Sequence, residues 1–189
     1  MDFRKVLTLA RREKTFVVME NDDGNRFCNI DGAAYCIDGL PVMSVEEIKF
    51  LTGISTEKGY IAVDTTAHGI LNNYVEDDMF LPPEIYTQIC FRGTAYKAYK
   101  INDILNFYEI DYFKPFEKDD DIEYLARIIK GEKNQYALLL KRGMDLLGLI
   151  MPAKINDDED LKKDIDQYKY TLDKLINQKT SEEIENEEI

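Results

Sequence analysis

Tryptophan is absent from this sequence and histidine occurs once, at His68. Five prolines and ten glycines among 189 residues exclude a collagen-like chain. The three cysteines, Cys28, Cys36 and Cys90, are odd in number, have no CxxC spacing and fall in apolar stretches. They read as reduced core residues, since a free thiol among apolar neighbours behaves as a small hydrophobe. One histidine without cysteine ligands cannot build an ordinary zinc site. No P-loop, GxGxxG, HExxH, GxSxG or paired CxxC motif occurs. The longest apolar run, Leu146–Met151, is far short of the roughly 20 residues a spanning helix needs, and Met1–Arg12 is too interrupted by charge for a signal peptide. The expectations are therefore no membrane partner, a cytoplasmic location, no cofactor, no metal and no catalytic residue.

Cations are scarce as well: 24 Lys plus Arg face 37 Asp plus Glu, a net charge of −13. That excludes a general basic coat for nucleic acid. With 44% hydrophobic residues the chain is long enough to bury a core without staples. The charge is unevenly spread. From Asn156 to Ile189 twelve acids face five lysines, so this stretch carries −7 and the remainder −6. In the first fourteen residues Arg4, Lys5, Arg11, Arg12 and Lys14 face only Asp2 and Glu13, a local charge of +3. This contrast divides the sequence into a body, 1–155, and an acidic C-terminal segment, 156–189.

Phe3, Val6, Leu7, Leu9 and Ala10 recur at helical spacing with basic residues between them, which predicts an amphipathic helix with a cationic outer face. Three Asp-Gly pairs, Asp23-Gly24, Asp31-Gly32 and Asp38-Gly39, then separate short apolar runs and predict a β-meander. Ser44 and Glu47 have capping-box spacing for a helix from Val45 to about Leu51, closed by Gly53. Gly59–Val63 predicts a strand. Pro82-Pro83-Glu84 opens either a short helix or an extended segment through Cys90. Thr94–Tyr99 predicts a strand, and Ile101, Ile104, Leu105 and Tyr108 a helix. Asp119, Asp120 and Asp121 precede a second predicted helix carrying Ile122, Leu125, Ile128 and Ile129 and stopped by Gly131. Tyr136–Leu140 and Leu146–Ile150 predict a hairpin around Arg142-Gly143, ended by Pro152. Beyond it, Leu161, Ile165, Tyr168, Leu172 and Leu175 form an a/d stripe over two heptads, for a helix that either pairs with another copy or lies on its own domain. Ser181 onward is acidic with little to bury and reads as frayed. The fold class is α+β: antiparallel sheets, a few packed helices and a C-terminal helix.

Two constellations bear on chemistry. Arg4, Lys5, Arg11, Arg12 and Lys14 are either the solvated side of the first helix or phosphate contacts, since each cation that neutralises a phosphate releases counterions. Asp64, His68, Asp77 and Asp78 share one polar loop, where a metal or general-base site is the alternative to solvated turns and caps. The twelve tyrosines and nine phenylalanines lie mostly in apolar runs and do not alternate with basic residues, so they form no single-strand platform.

The basic helix, the meander Arg26-Phe27-Cys28-Asn29-Ile30-Asp31-Gly32-Ala33-Ala34-Tyr35, the capped helix and the closing Leu149-Ile150-Met151-Pro152 together resemble the bacterial DNA sliding clamp family, the polymerase III β-type processivity factor. Asp31-Gly32 is similar to the family's Thr-Asp-Gly turn, with Ile30 in place of threonine. The resemblance implies a non-catalytic binding protein acting on duplex DNA or the replication machinery, built of two pseudo-symmetric βαβββ-like halves. It further implies DNA contact through Arg4, Lys5, Arg11, Arg12 and Lys14, and a surface for a replication protein at Leu149, Met151 and Pro152. A body of 155 residues has room for one such domain where the family strings three, so the alternatives are a homo-oligomer or a phage or mobile-element derivative that kept the fold and lost the ring. The competing reading is an acidic, phage-encoded or regulatory protein-interaction module, a DNA mimic or inhibitor, and a third is a metal-dependent hydrolase.

Overall fold

The structure, a computed structural model, describes residues 1–55, 57–67, 69–80, 87–102, 104–129 and 135–153, together with 167, 170, 171 and 174. The chain divides into two compact units, Met1–Pro152 and Ala153–Ile189. The first is α+β.

Helix α1 (Phe3–Glu13) begins where the Asp2 carboxylate accepts the Arg4 N–H at 3.0 Å, buries Val6, Leu9 and Ala10, and ends at Lys14 in the left-handed region, φ 55°. Strands β1 (Thr15–Glu20), β2 (Arg26–Asn29) and β3 (Ala33–Cys36) form the expected meander. Its turns use positive φ at Gly24 (82°) and Asp31 (73°). Gly32 is required for a different reason, because a Cβ there would lie 2.7 Å from the Tyr112 ring. The third pair, Asp38-Gly39, leads out of the sheet toward helix α2 (Val45–Thr52), whose capping box at Ser44 and Glu47 is formed and whose end is Gly53 at φ 68°.

Strand β4 (Tyr60–Thr66) returns beside β1 in parallel, so the large sheet is mixed where antiparallel sheets were expected. The helix between them supplies the crossover that a parallel pair needs. After β5 (Met79–Phe80), the strands β6 (Thr87–Phe91), β7 (Thr94–Ile101) and β8 (Ile104–Glu109) make a separate antiparallel sheet. Pro82, Pro83 and Glu84 lie outside the described residues, and from Thr87 the chain is extended. The helix expected over Ile101–Tyr108 is corrected: Asn102 turns at φ 48° and pairs β7 with β8.

A 3₁₀ helix, η1 (Ile110–Phe116), leads to β9 (Glu123–Ile128), β10 (Tyr136–Arg142) and β11 (Asp145–Ile150). The helix expected after Asp119–Asp121 is thus a strand. Ala126 faces one core and Leu125 the other, and a strand buried on both faces lacks the alternation that would set it apart from helical spacing. Asp119 and Asp121 bind Arg142 instead of capping a helix.

The large sheet runs β4-β1-β2-β3-β11-β10-β9-β5. One face, with Cys28, Tyr35, Leu138 and Ile150, packs against Val6 of α1, Ile48 of α2, Phe113 and Phe116 of η1 and Tyr99 of the small sheet. The other face, with Phe27, Leu139 and Leu149, is covered by Ala67 and Leu71 from the chain between β4 and β5. Along this order, α1-β1-β2-β3 and η1-β9-β10-β11 each run helix then three antiparallel strands, and they meet where β3 pairs with β11. Strand β8 precedes η1, so the second unit is strand, helix and three strands; the first lacks the leading strand.

Of the C-terminal segment, Gln167, Tyr170, Thr171 and Lys174 are helical. The stripe Leu161, Ile165, Tyr168, Leu172 and Leu175, and the tail from Ser181, lie outside the described residues. Among those described, no helix is long and apolar enough to cross a membrane. Only Cys28 of the three thiols is buried; Cys36 is half-buried and Cys90 exposed, which corrects the expectation that all three are core.

Candidate nucleic-acid interface

The five N-terminal cations do not act as one face. Arg11 bends onto α2, where its Nε and a terminal nitrogen donate to the carbonyls of Thr52 and Leu51, both at 2.7 Å. It satisfies the bare C-terminal carbonyls of that helix. Arg12 is surrounded by Glu13, Glu109 and Asp111, each at 2.6 Å, and its guanidinium lies 5.4 Å from the Tyr112 ring centre. Partial burial works against its charge, but the hydrogen bond to Glu13 and the field of Glu109 outweigh that, so the cation is held above its ordinary range. Glu109 moves upward as well, because burial opposes its charge more than Arg12 favours it. A guanidinium ringed by three carboxylates presents no net positive field to a phosphate. Lys14 is exposed at the end of α1, away from the helix start.

Arg4 and Lys5, in the first turn of α1, find different company. The Asp2 N–H donates to the Pro115 carbonyl at 2.7 Å, which seats the start of α1 against the end of η1. There Phe113, Pro115 and Phe116 are buried, and Lys114 and Lys118 are left pointing outward. The result is a recess of about 500 Å³ with Arg4, Lys5, Lys114 and Lys118 around it, Met1, Phe3 and Pro115 as its apolar wall, and Asp2 and Asp119 as its carboxylates. Lys5 contacts Glu117 at 2.5 Å and Lys114 contacts Asp111 at 2.6 Å, both pairs open to solvent. Exposed pairs of this kind are worth about 1 kcal/mol or less, so either lysine can turn toward an incoming anion. Arg4 and Lys118 have no carboxylate partner among the described residues. Asp119 is already neutralised by the Met1 ammonium at 3.1 Å and Arg142 at 3.0 Å.

Sequence reasoning found Arg4 and Lys5 and missed Lys114 and Lys118. Their signal was a cation on each side of Pro115-Phe116-Glu117 in an acidic chain, unreadable without knowing that this segment folds back onto α1.

The partner surface expected at the closing strand is corrected. Leu149 is 4% exposed among Phe27, Leu139 and Leu146, and Pro152 is buried; only Met151 is partly open, with its N–H bound to the Gly32 carbonyl at 2.8 Å. These residues fill the core where β11 joins β3. In the acidic loop, His68 lies outside the described residues. Asp78 is committed to Arg127 in a buried ion pair. Among the described residues no three His, Cys, Asp or Glu side chains converge as metal ligands. No family model, curated protein or solved structure matches the chain.

Proposed function

We propose that this chain is a non-catalytic, clamp-like nucleic-acid-binding protein that meets phosphate at the recess between α1 and η1. One observation carries the reading: in a chain of net charge −13, four cations from two distant segments surround one concave site. The repeated helix-and-meander order around the β3–β11 junction supports the clamp resemblance. The partners implied are DNA and the replication machinery.

Fluorescence anisotropy with labelled duplex DNA tests it. Binding that weakens as salt rises, with loss on Arg4→Glu combined with Lys118→Glu, is the expected result. Arg11→Ala, which removes the α2 contact instead, retains the binding. Salt-independent binding, or none, sinks the proposal.

A second reading, a protein-interaction module, rests on a different face. Phe50 of α2 is 88% exposed and Tyr60 is 61% exposed on β4, which has no strand beyond it among the described residues. Sedimentation of the full chain against Phe50→Glu decides whether this face joins copies.

A further inference from the structure

We infer that the recess takes the terminal phosphate of a nucleotide, free or at the end of a strand, in preference to the continuous backbone of a duplex. The inference rests on the nucleic-acid reading and specifies its ligand. Its first support is shape. At about 500 Å³ the recess has the size of a small-molecule site, and its walls are apolar at Phe3 and Pro115 with cations at the rim. A backbone track is instead long, open and lined with cations at successive phosphate spacings.

The second support is the boundary of the positive field. On the η1 side the recess is lined by chain that is flanked by the exposed Glu117, Asp120 and Asp121. Along α1 it gives way to the carboxylates around Arg12. A duplex lying across the recess would carry its neighbouring phosphates over these acids. A single end group would not.

The third support is charge. A terminal phosphate monoester carries about −1.5 to −2 at neutral pH, because its second ionisation falls near pH 6, whereas an internal diester carries only one charge. Arg4 and Lys118 match a dianion without leaving a carboxylate partner among the described residues, and Lys5 and Lys114 reach it by leaving exposed pairs. The Arg4 and Lys5 amides take no part, since both already donate to Asp2.

The test uses the full chain and two 3′-labelled duplexes, identical except that one ends in a 5′-phosphate and the other in a 5′-hydroxyl. The phosphorylated duplex is expected to bind about tenfold more tightly, the gain of roughly one charge-assisted contact. A mononucleotide is expected to compete better than inorganic phosphate, and Lys118→Ala to abolish the preference while leaving the urea unfolding midpoint unchanged. Equal, salt-sensitive binding of both duplexes overturns this inference and leaves the nucleic-acid reading standing. Failure of both duplexes to bind overturns the two together. Competition by inorganic phosphate equal to that of the mononucleotide overturns the nucleotide class of the ligand.

Discussion

Arg127 and Asp78 form a two-point ion pair inside the protein, Nε to Oδ1 at 2.7 Å and a terminal nitrogen to Oδ2 at 2.5 Å, with side chains 3% and 4% exposed. The same guanidinium donates to the carbonyls of Ile70 and Asn72, both at 2.7 Å. Lys141 adds a bond to the Asn73 carbonyl and Asn21 one to the Leu71 carbonyl, each at 2.7 Å. Together they fasten the segment between β4 and β5 over the second core. A buried arginine with every guanidinium nitrogen hydrogen-bonded is a fastener, and it explains how β9, paired on both sides, can carry a buried charge.

Removing one partner leaves the other charged, buried and unpaired. Asp78→Ala is expected to lower the unfolding free energy by about 3–5 kcal/mol, measured by urea denaturation. Combining Asp78→Leu with Arg127→Met is expected to recover much of that loss. A single variant as stable as the parent contradicts the fastening role.

Asp119 links stability to pH. Burial opposes its charge, but the hydrogen bonds from the Met1 ammonium and Arg142 together outweigh burial and hold its carboxyl below the usual range. A carboxyl lowered in the folded state stabilises the fold above the unfolded value of about 3.9 and loses that contribution as pH falls through the folded one. Asp119→Asn is therefore expected to be less stable than the parent at neutral pH, with the gap closing in acid. Urea midpoints that differ equally at both ends of the range refute this.

At Gly32 a methyl group would meet the Tyr112 ring. Gly32→Ala is expected to cost about 1–3 kcal/mol by overpacking, read as a lowered thermal midpoint. Adding Tyr112→Leu should restore part of it, because the clash is with the ring and not with backbone. No recovery would place the cost elsewhere.

The thiols should react in the order of their exposure. Burial pushes the Cys28 thiol up to about 12 and raises Cys36 as well. Cys90 is exposed. An aromatic disulfide reagent is expected to titrate Cys90 quickly in the folded protein and Cys28 only after unfolding, since the thiolate is the reactive form. Labelling of Cys28 at the rate of Cys90, followed by mass spectrometry, would contradict the buried assignment.

Local chemistry was legible. The Ser44–Glu47 box, the Asp31-Gly32 turn and the basic spacing of α1 depend on residues within a few positions of each other, and each stands where its pattern predicted. The strands β8 and β9 are read as helices from the sequence because residues 106–108 and 125–127 are buried consecutively, on both faces, and leave no two-residue alternation of apolar and polar positions. Half of the candidate site was hidden for a different reason. Nothing near Lys114 or Lys118 in the chain indicates that Pro115 will receive the Asp2 N–H and bring them beside Arg4.

By itself the sequence determined the α+β class, the meander, the amphipathic helix α1, the capped helix α2 and the concentration of cations at one end of an acidic chain, all consequences of short-range hydrogen bonding, turn geometry and charge. Tertiary structure alone decided which of those cations face outward. It assigned Arg11 to the end of α2 and Arg12 to three carboxylates, and it joined Arg4 and Lys5 to a lysine pair over a hundred residues away. A charge's availability depends on what packs within a few ångströms of it, and that is set by the whole fold.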